Sequence, residues 1–189
     1  DYCSVYGSTR RSLDWTLTRN ESSSRLALGV NVVDENGYSR GYDGPEFKQD
    51  RDNLGVFAVW NKTFENQQLE LATRWDDNSQ YGSRFTSSAG WAMQLGDNSR
   101  LRASWGQGFR APNFNELYYP GFFGFYAGNP DLSPERSRTA ELGFVSQLNA
   151  QLDLELSAYR SDVRDLIAFQ GINNKAINID QAQIEGAEA

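Results

Sequence analysis

Residues 106–118 read GQGFRAPNFNELY and residues 128–137 read GNPDLSPERS, and these two stretches decide the fold. Pro112 fixes its own φ angle and has no amide hydrogen to donate, so a strand that reaches it has to stop there. Pro130 and Pro134 impose extended or turn geometry just before a second strand begins. The two stretches therefore predict a long connection between two strands of a sheet.

Opposite charges stand at the two ends of this connection. Arg110 lies at the end of the first predicted strand, and Glu135 lies at the start of the second. We expect the two side chains to pair across the base of the connection. An exposed pair of this kind contributes about 0–1 kcal/mol, so its role is mainly to hold the two strand ends together.

Aromatic residues crowd the interior of the connection, interleaved with Pro120, Gly121 and Gly124. They are Tyr118, Tyr119, Phe122, Phe123, Phe125 and Tyr126. Leaving this much apolar surface in water is costly, so the rings are expected to pack on one another, on neighbouring loops or on a ligand. Because aromatic side chains supply contact area at low entropic cost, the same residues are the candidate ligand-binding residues.

On both sides of the connection, apolar and polar residues alternate with a period of two, which is typical of strands. Segment 26–32 is the clearest example, because every second residue in it is leucine or valine. The pattern predicts about nine strands, and the only helix expected is a turn at Asn113–Leu117. The strand segments are residues 13–18, 26–32, 54–64, 69–75, 91–95, 101–105, 142–148, 152–158 and 176–189.

The predicted connections differ in length at the two ends of the strands. The short set is Asn20–Ser24, Glu65–Gln67, Gly96–Ser99 and Asn149–Gln151. The longer set is Gly37–Asp50 and Phe109–Arg136, which are long and very long, and Asp76–Ser83 and Gln170–Lys175, which are intermediate. The two sets alternate along the chain, so in a meander each set lies at one end. Short turns at one end and long loops at the other are typical of an outer-membrane barrel. The predicted fold class is therefore all-β, an antiparallel up-and-down transmembrane β-barrel.

A soluble β-sandwich produces the same alternation, so the pattern leaves both architectures open. In a barrel the apolar face meets lipid and the polar face lines a wet lumen, whereas in a sandwich the apolar face packs into a core. The polar face is expected to carry Arg10, Asp14, Arg25, Glu70, Arg74, Arg102, Asp153 and Glu155. The tryptophans all fall within strands and fit either a membrane-interface girdle or a sandwich core: Trp15, Trp60, Trp75, Trp91 and Trp105.

The composition disfavours several classes of function and several kinds of site. The 189 residues carry a net charge of −7, which disfavours a nucleic-acid partner. With no histidine and with Cys3 as the one cysteine, zinc, haem and Ser-His-Asp sites lack their usual residues, and no disulfide forms within the chain. No apolar run reaches the roughly 20 residues of a transmembrane helix. The acidic stretches 50–53 and 76–78 lack EF-hand spacing and are interpreted as solvated loops, so neither a metal nor a cofactor is predicted.

The two quoted stretches resemble the signature of the TonB-dependent outer-membrane receptors, in which a strand ends in GxGFRAPxxxELY and a loop closes with GNPxLxPE. Residues 141–144, reading ELGF, and residues 182–188 fit the same family. The motif residues are interpreted as mainly structural: Gly108, Phe109, Arg110, Pro112, Glu116, Leu117, Tyr118, Gly128, Asn129, Pro130, Leu132, Pro134 and Glu135. Within the family, the tyrosine- and glycine-rich loop is most similar to that of the vitamin B12 (cobalamin) receptors.

The resemblance implies import of a scarce nutrient across the outer membrane of Gram-negative bacteria, without covalent chemistry, so no enzyme is expected. Such receptors have about 22 strands around an N-terminal plug, so residues 1–189 are expected to be part of the barrel domain, with the plug domain absent. The ligand implied is cobalamin, with a ferric siderophore as the alternative. TonB is expected to act through the plug, and outer-membrane lipid to surround the barrel. An isolated piece exposes two strand edges and is expected to need detergent or to oligomerise edge to edge.

An alternative of another class is a soluble β-sandwich module that binds carbohydrate, with the aromatic residues as stacking platforms. A β-barrel enzyme is disfavoured by the lack of histidine and of any reactive constellation. Dependence on detergent separates a membrane barrel from a sandwich.

Overall fold

The structure, a computed structural model, describes residues 5–41, 44–121, 123 and 125–189. Cys3 and Phe122 lie outside the described residues. The elements follow one another as β1 (Val5–Glu21), β2 (Ser24–Gly41), β3 (Gly44–Phe64), β4 (Gln67–Asn78), β5 (Gly82–Leu95), β6 (Ser99–Arg110), α1 (Phe114–Tyr118), β7 (Glu135–Asn149), β8 (Leu152–Gln170) and β9 (Lys175–Glu188). In this part of the chain, no helix has the length and apolarity needed to cross a membrane.

The strands form one nine-stranded sheet in the order β1 to β9, and every neighbouring pair is antiparallel. The all-β meander, the number of strands and the helical turn after Asn113 are therefore confirmed. No second sheet covers either face of the described residues. Leu13 and Trp15, on the apolar face of β1, are 73% and 58% exposed. The β-sandwich alternative is therefore wrong.

The pairing register separates apolar and polar side chains onto opposite faces, because side chains alternate along each strand. One apolar row contains Trp15, Val30, Val56 and Trp75. The charged residues expected to line the lumen all lie on the opposite face: Arg10, Asp14, Arg25, Glu70, Arg74, Arg102, Asp153 and Glu155. We call the apolar side the outward face and the polar side the lumen face.

The tryptophans all lie on the outward face. Two of them lie near the short turns, and their ring nitrogens donate hydrogen bonds to nearby side chains. Trp60 Nε1 donates to Ser24 Oγ at 3.0 Å, and Trp91 Nε1 donates to Gln67 Oε1 at 2.9 Å. A ring on an apolar surface with its polar tip hydrogen-bonded is the arrangement that tryptophan adopts at a membrane interface.

The long-loop end of the sheet differs from the prediction in two places. Residues 37–50 were expected to form a loop, but β2 runs to Gly41 and β3 starts at Gly44. Residues 76–83 were also expected to form a loop, but only residues 79–81 separate β4 from β5. The glycine- and aspartate-rich composition misleads here, because these residues keep their cross-strand partners as far as the hairpin tip. The other two connections, residues 111–134 and 171–174, form at the predicted places with slightly narrower bounds.

Candidate functional site

Residues 111–134, here called the mouth loop, begin with a capped helical turn. Asn113 precedes α1, and its side chain accepts a hydrogen bond from the Glu116 amide at 2.8 Å. The Glu116 carboxylate accepts one from the Asn113 amide, also at 2.8 Å. This reciprocal capping box satisfies two amides that a helix start leaves unpaired. It explains why a helix forms directly after the strand that Pro112 ends.

Arg110 fastens the base of the mouth loop. Its Nε and Nη2 donate to the two Glu135 oxygens at 2.8 and 2.7 Å, and its Nη1 donates to both Glu116 oxygens at 3.0 Å. Glu135 Oε1 also accepts from the Ile167 amide at 2.8 Å, which adds β8 to the junction. The pair between Arg110 and Glu135 was expected from their charges, whereas the participation of Glu116 was not. One guanidinium thus joins β6, α1 and β7.

The mouth loop folds back onto its own helix and packs there. Leu117, Leu132 and Ala176 form a buried cluster with exposures of 2%, 7% and 0%. The Gly128 amide donates to the Tyr119 carbonyl at 2.7 Å. A Cβ at Gly128 would lie 2.7 Å from the carbonyl carbon of Leu117, closer than atoms can pack, so this position requires glycine.

Asparagine side chains tie the mouth loop to the start of β9. Asn129 Nδ2 donates to the Ala176 carbonyl at 3.1 Å, and the Ala176 amide donates to the Ala127 carbonyl at 3.1 Å. Asn178 accepts from the Ser133 amide at 2.9 Å and donates back to its carbonyl at 3.0 Å. The motif residues around Gly128 and Leu132 therefore have the contacts that a structural role requires.

A cavity of about 390 Å³ opens on the lumen face beside the mouth loop. Glu35 lies between two arginines there, with Arg10 at 2.7 Å and Arg51 on its other oxygen. Arg74 and Asp76 pair at 2.6 Å. Alternating charges of this kind give the wall a polar, hydrogen-bonded surface toward a water-filled space.

Arg51 connects this polar wall to the mouth loop. Its Nη1 donates to the Pro112 carbonyl at 2.8 Å, and its guanidinium lies 4.8 Å from the centre of the Phe114 ring. Gln80 Nε2, from the neighbouring turn, donates to the Tyr118 hydroxyl at 3.0 Å. Arg51 and Pro112 are 61 residues apart, so no sequence pattern indicates this contact. The mouth loop is thereby in direct contact with charged groups of the lumen face.

Tyr81, in the turn between β4 and β5, also faces this cavity. Burial raises the pKa of its phenol, and the nearby Arg51 partly opposes that rise. The hydroxyl therefore stays protonated at neutral pH, and it donates to Asn53 Oδ1 at 3.5 Å. Its ring contacts Phe109 edge-on, with the centroids 5.8 Å apart.

The predicted ligand-binding aromatics occupy different surroundings. Tyr118 packs against Phe47 with ring centroids 6.1 Å apart, and Tyr126 lies 6.3 Å from the ring of Phe169. Tyr119 is half-buried at the end of α1. Phe123 and Phe125 are 87% and 45% exposed, and Phe122 lies outside the described residues. Those that pack do so on neighbouring strand ends, and contact with a ligand stays a prediction.

The two acidic stretches are parts of strands and make internal contacts. Asp76 accepts from Asn53 Nδ2 at 2.8 Å in addition to its pair with Arg74. The Asp50 carboxylate accepts from the Asn36 amide group. Among the described residues, no group of three or more histidine, cysteine, aspartate or glutamate side chains is placed to hold a metal ion.

Comparison with known proteins points to one family. The family described as TonB dependent receptor-like, beta-barrel matches residues 4–189. A vitamin B12 transporter, BtuB of Vibrio vulnificus (strain YJ016), is 33% identical over 168 residues, which is 86% of this chain and 26% of that protein. The chain therefore spans about a quarter of the length of this curated relative.

Solved structures give the same fold. The siderophore receptor PirA from Pseudomonas aeruginosa superposes with a TM-score of 0.77 at 21% identity, over 97% of this chain and 36% of that one. A mutant ferric enterobactin receptor, PfeA, from Pseudomonas aeruginosa in complex with enterobactin also gives a TM-score of 0.77, at 18% identity over 97% of this chain and 33% of that one. At these identities the likeness concerns the fold.

Proposed function

Because this chain belongs to the family of TonB-dependent receptor β-barrels, we propose that it forms part of the wall and mouth of an outer-membrane transporter for cobalamin. Receptors of this family, such as BtuB, lie in the outer membrane of Gram-negative bacteria, and they are transporters rather than enzymes. The mouth loop, docked on the lumen wall through Arg51 and Arg110, is the observation that carries the proposal. It supports the proposal because the loop that carries the aromatic residues is held beside a polar cavity on the lumen face.

Residues 1–189 supply two parts of this transporter. The lumen face provides charged side chains that keep a passage wet, and the mouth loop provides aromatic surface for capture. In the proposed mechanism, ligand binds between the loops and a plug domain, and TonB then displaces the plug at the expense of energy. The barrel part needs no covalent chemistry, only a rigid wall and a positioned loop.

Cobalamin is proposed as the ligand because the curated relative at 33% identity is named a vitamin B12 transporter. A ferric siderophore is the alternative, since siderophore receptors share the fold. Equilibrium binding of cyanocobalamin and of ferric enterobactin to the full-length protein in detergent decides between them. Binding of cyanocobalamin alone is the expected result, and binding of ferric enterobactin alone would replace cobalamin by the siderophore.

The aromatic residues of the mouth loop are expected to contribute directly to affinity. Phe125→Ala and Tyr126→Ala in the full-length protein should each weaken ligand binding by roughly fivefold or more, because truncating a residue that is a binding hot spot costs more than about 1 kcal/mol. Phe64→Ala is the matched control, since Phe64 is 50% exposed at the opposite end of the sheet. Unchanged affinity in both loop variants would remove the mouth loop from the ligand site.

A further inference from the structure

Near the mouth loop, the outward face is no longer uniformly apolar and carries charged side chains. The rows of β7 and β8 at that end carry four exposed arginines, here called the arginine patch: Arg136, Arg138, Arg160 and Arg164. They occupy even-numbered positions, as do Leu142 on β7 and Ala158 on β8. Because side chains alternate along a strand, the patch lies on the same face as these apolar residues and not in the lumen.

The patch begins at the mouth-side edge of the continuous apolar rows, where Phe85 and Phe109 lie among the arginines. Arg160 shares a row with Trp105 and Ala140, and Phe109 stands in the row of Arg136 and Arg164. Arg138 and Arg164 lie one and two rows closer to the mouth, and each row adds about 7 Å along the strand. The patch therefore stands at the depth of lipid headgroups on the side of the long loop, with hydrocarbon-facing residues directly below it.

Acidic neighbours neutralise only part of the patch. Arg136 pairs with Asp165 at 2.6 Å and Arg160 with Asp162 at 3.2 Å, and Glu185 lies beside Arg160 in the register. Arg138 and Arg164 form no ion pair with any residue that the structure describes. A cavity of about 410 Å³ lies among these arginines, and Phe85 and Phe109 also line it. Two guanidinium groups are thus available at its edge.

We infer that the arginine patch binds the phosphate groups of an anionic lipid in the outer leaflet of the membrane. Guanidinium groups bind phosphate through paired, charge-assisted hydrogen bonds. The chain as a whole has a net charge of −7, so the patch is a local feature and not part of a generally basic surface. An occupant with a phosphate headgroup above acyl chains matches both the arginines and the apolar rows beneath them, whereas free phosphate matches only the first.

The test uses the full-length protein in detergent and diphosphorylated lipid A as the probe, with binding measured by native mass spectrometry. The double variant Arg138→Gln, Arg164→Gln is expected to weaken binding about 30-fold, from the attraction that each basic residue exerts on anionic headgroups. The matched control is Arg25→Gln, Arg100→Gln, which removes the same charge from exposed positions on the lumen face. This control is expected to bind like the wild type.

Two outcomes would overturn the inference. Unchanged lipid A binding in the patch variant, or an equal loss in the control variant, would show that the patch does not bind the headgroup. Displacement of lipid A by an equal concentration of inorganic phosphate would show that the arginines bind phosphate without regard to lipid. Retained binding in the presence of phosphate, together with weak binding of dephosphorylated lipid A, is the result we expect.

Discussion

Replacing Leu28 by arginine is expected to destabilise the folded protein in lipid by up to about 2–4 kcal/mol, the cost of a basic side chain at the bilayer midplane on the lipid face of a membrane barrel. Leu28 lies on the outward face in a row with Leu17 and Ala58, and it is 42% exposed. In water such an exposed position would tolerate arginine at little cost. The effect therefore arises only if hydrocarbon covers this face.

The adjacent residue supplies the control. Ala27 precedes Leu28 on β2 and faces the lumen, so Ala27→Arg places the same charge at the same height in water. Denaturant titration of the full-length protein in lipid vesicles, followed by tryptophan fluorescence, measures both variants. Equal destabilisation by the two substitutions would contradict a lipid-covered outward face.

Substituting alanine for Gly128 is expected to release the mouth loop from α1. The added Cβ would meet backbone atoms of Leu117 and Asn115 at 2.7–2.8 Å, and backbone cannot rotate away as a side chain can. Overpacking of this kind costs about 1–3 kcal/mol. Residues 111–134 should then exchange their amide hydrogens faster, and ligand affinity should fall. Hydrogen exchange and equilibrium binding on the full-length protein measure the two effects.

Gly90→Ala is the matched control for this experiment. Gly90 lies on β5, and the nearest atom to an added Cβ is the Glu70 Cβ at 3.8 Å, an ordinary packing distance. The control is expected to leave exchange in the mouth loop and ligand affinity unchanged. Wild-type exchange in Gly128→Ala would show that the loop does not depend on close packing against α1.

Local patterns sufficed to predict most of the fold. Apolar and polar residues alternate in residues 26–32 because one side of the strand is buried or faces lipid. These residues form part of β2 in the structure. The hairpin tip at Gly41–Gly44 was missed because turn-forming residues such as Gly37 do not end a strand whose partner continues. There Phe47 is only 7% exposed, packed between the rings of Tyr6 and Tyr118. Such packing depends on residues distant in sequence.

In the candidate site, too, some contacts could be predicted from the sequence and others could not. Arg110 and Glu135 were predicted to pair because they flank one connection, and they do. The contact of Arg51 with the Pro112 carbonyl joins residues that have β4, β5 and β6 between them in the sequence, so it depends on the tertiary fold. The arginine patch was likewise hidden, because Arg138 and Arg160 become neighbours of the apolar face only through the register of β7 and β8.

The central claim is that the outward face touches lipid while the opposite face lines a water-filled lumen. Nitroxide scanning of residues 69–75 on β4, one cysteine at a time in the reconstituted full-length protein, tests it most directly. Collisions with oxygen, which concentrates in lipid, should peak at positions 69, 71, 73 and 75, and collisions with a water-soluble nickel chelate at positions 70, 72 and 74. Odd positions that meet neither reagent, or both faces equally open to the nickel chelate, would contradict the account.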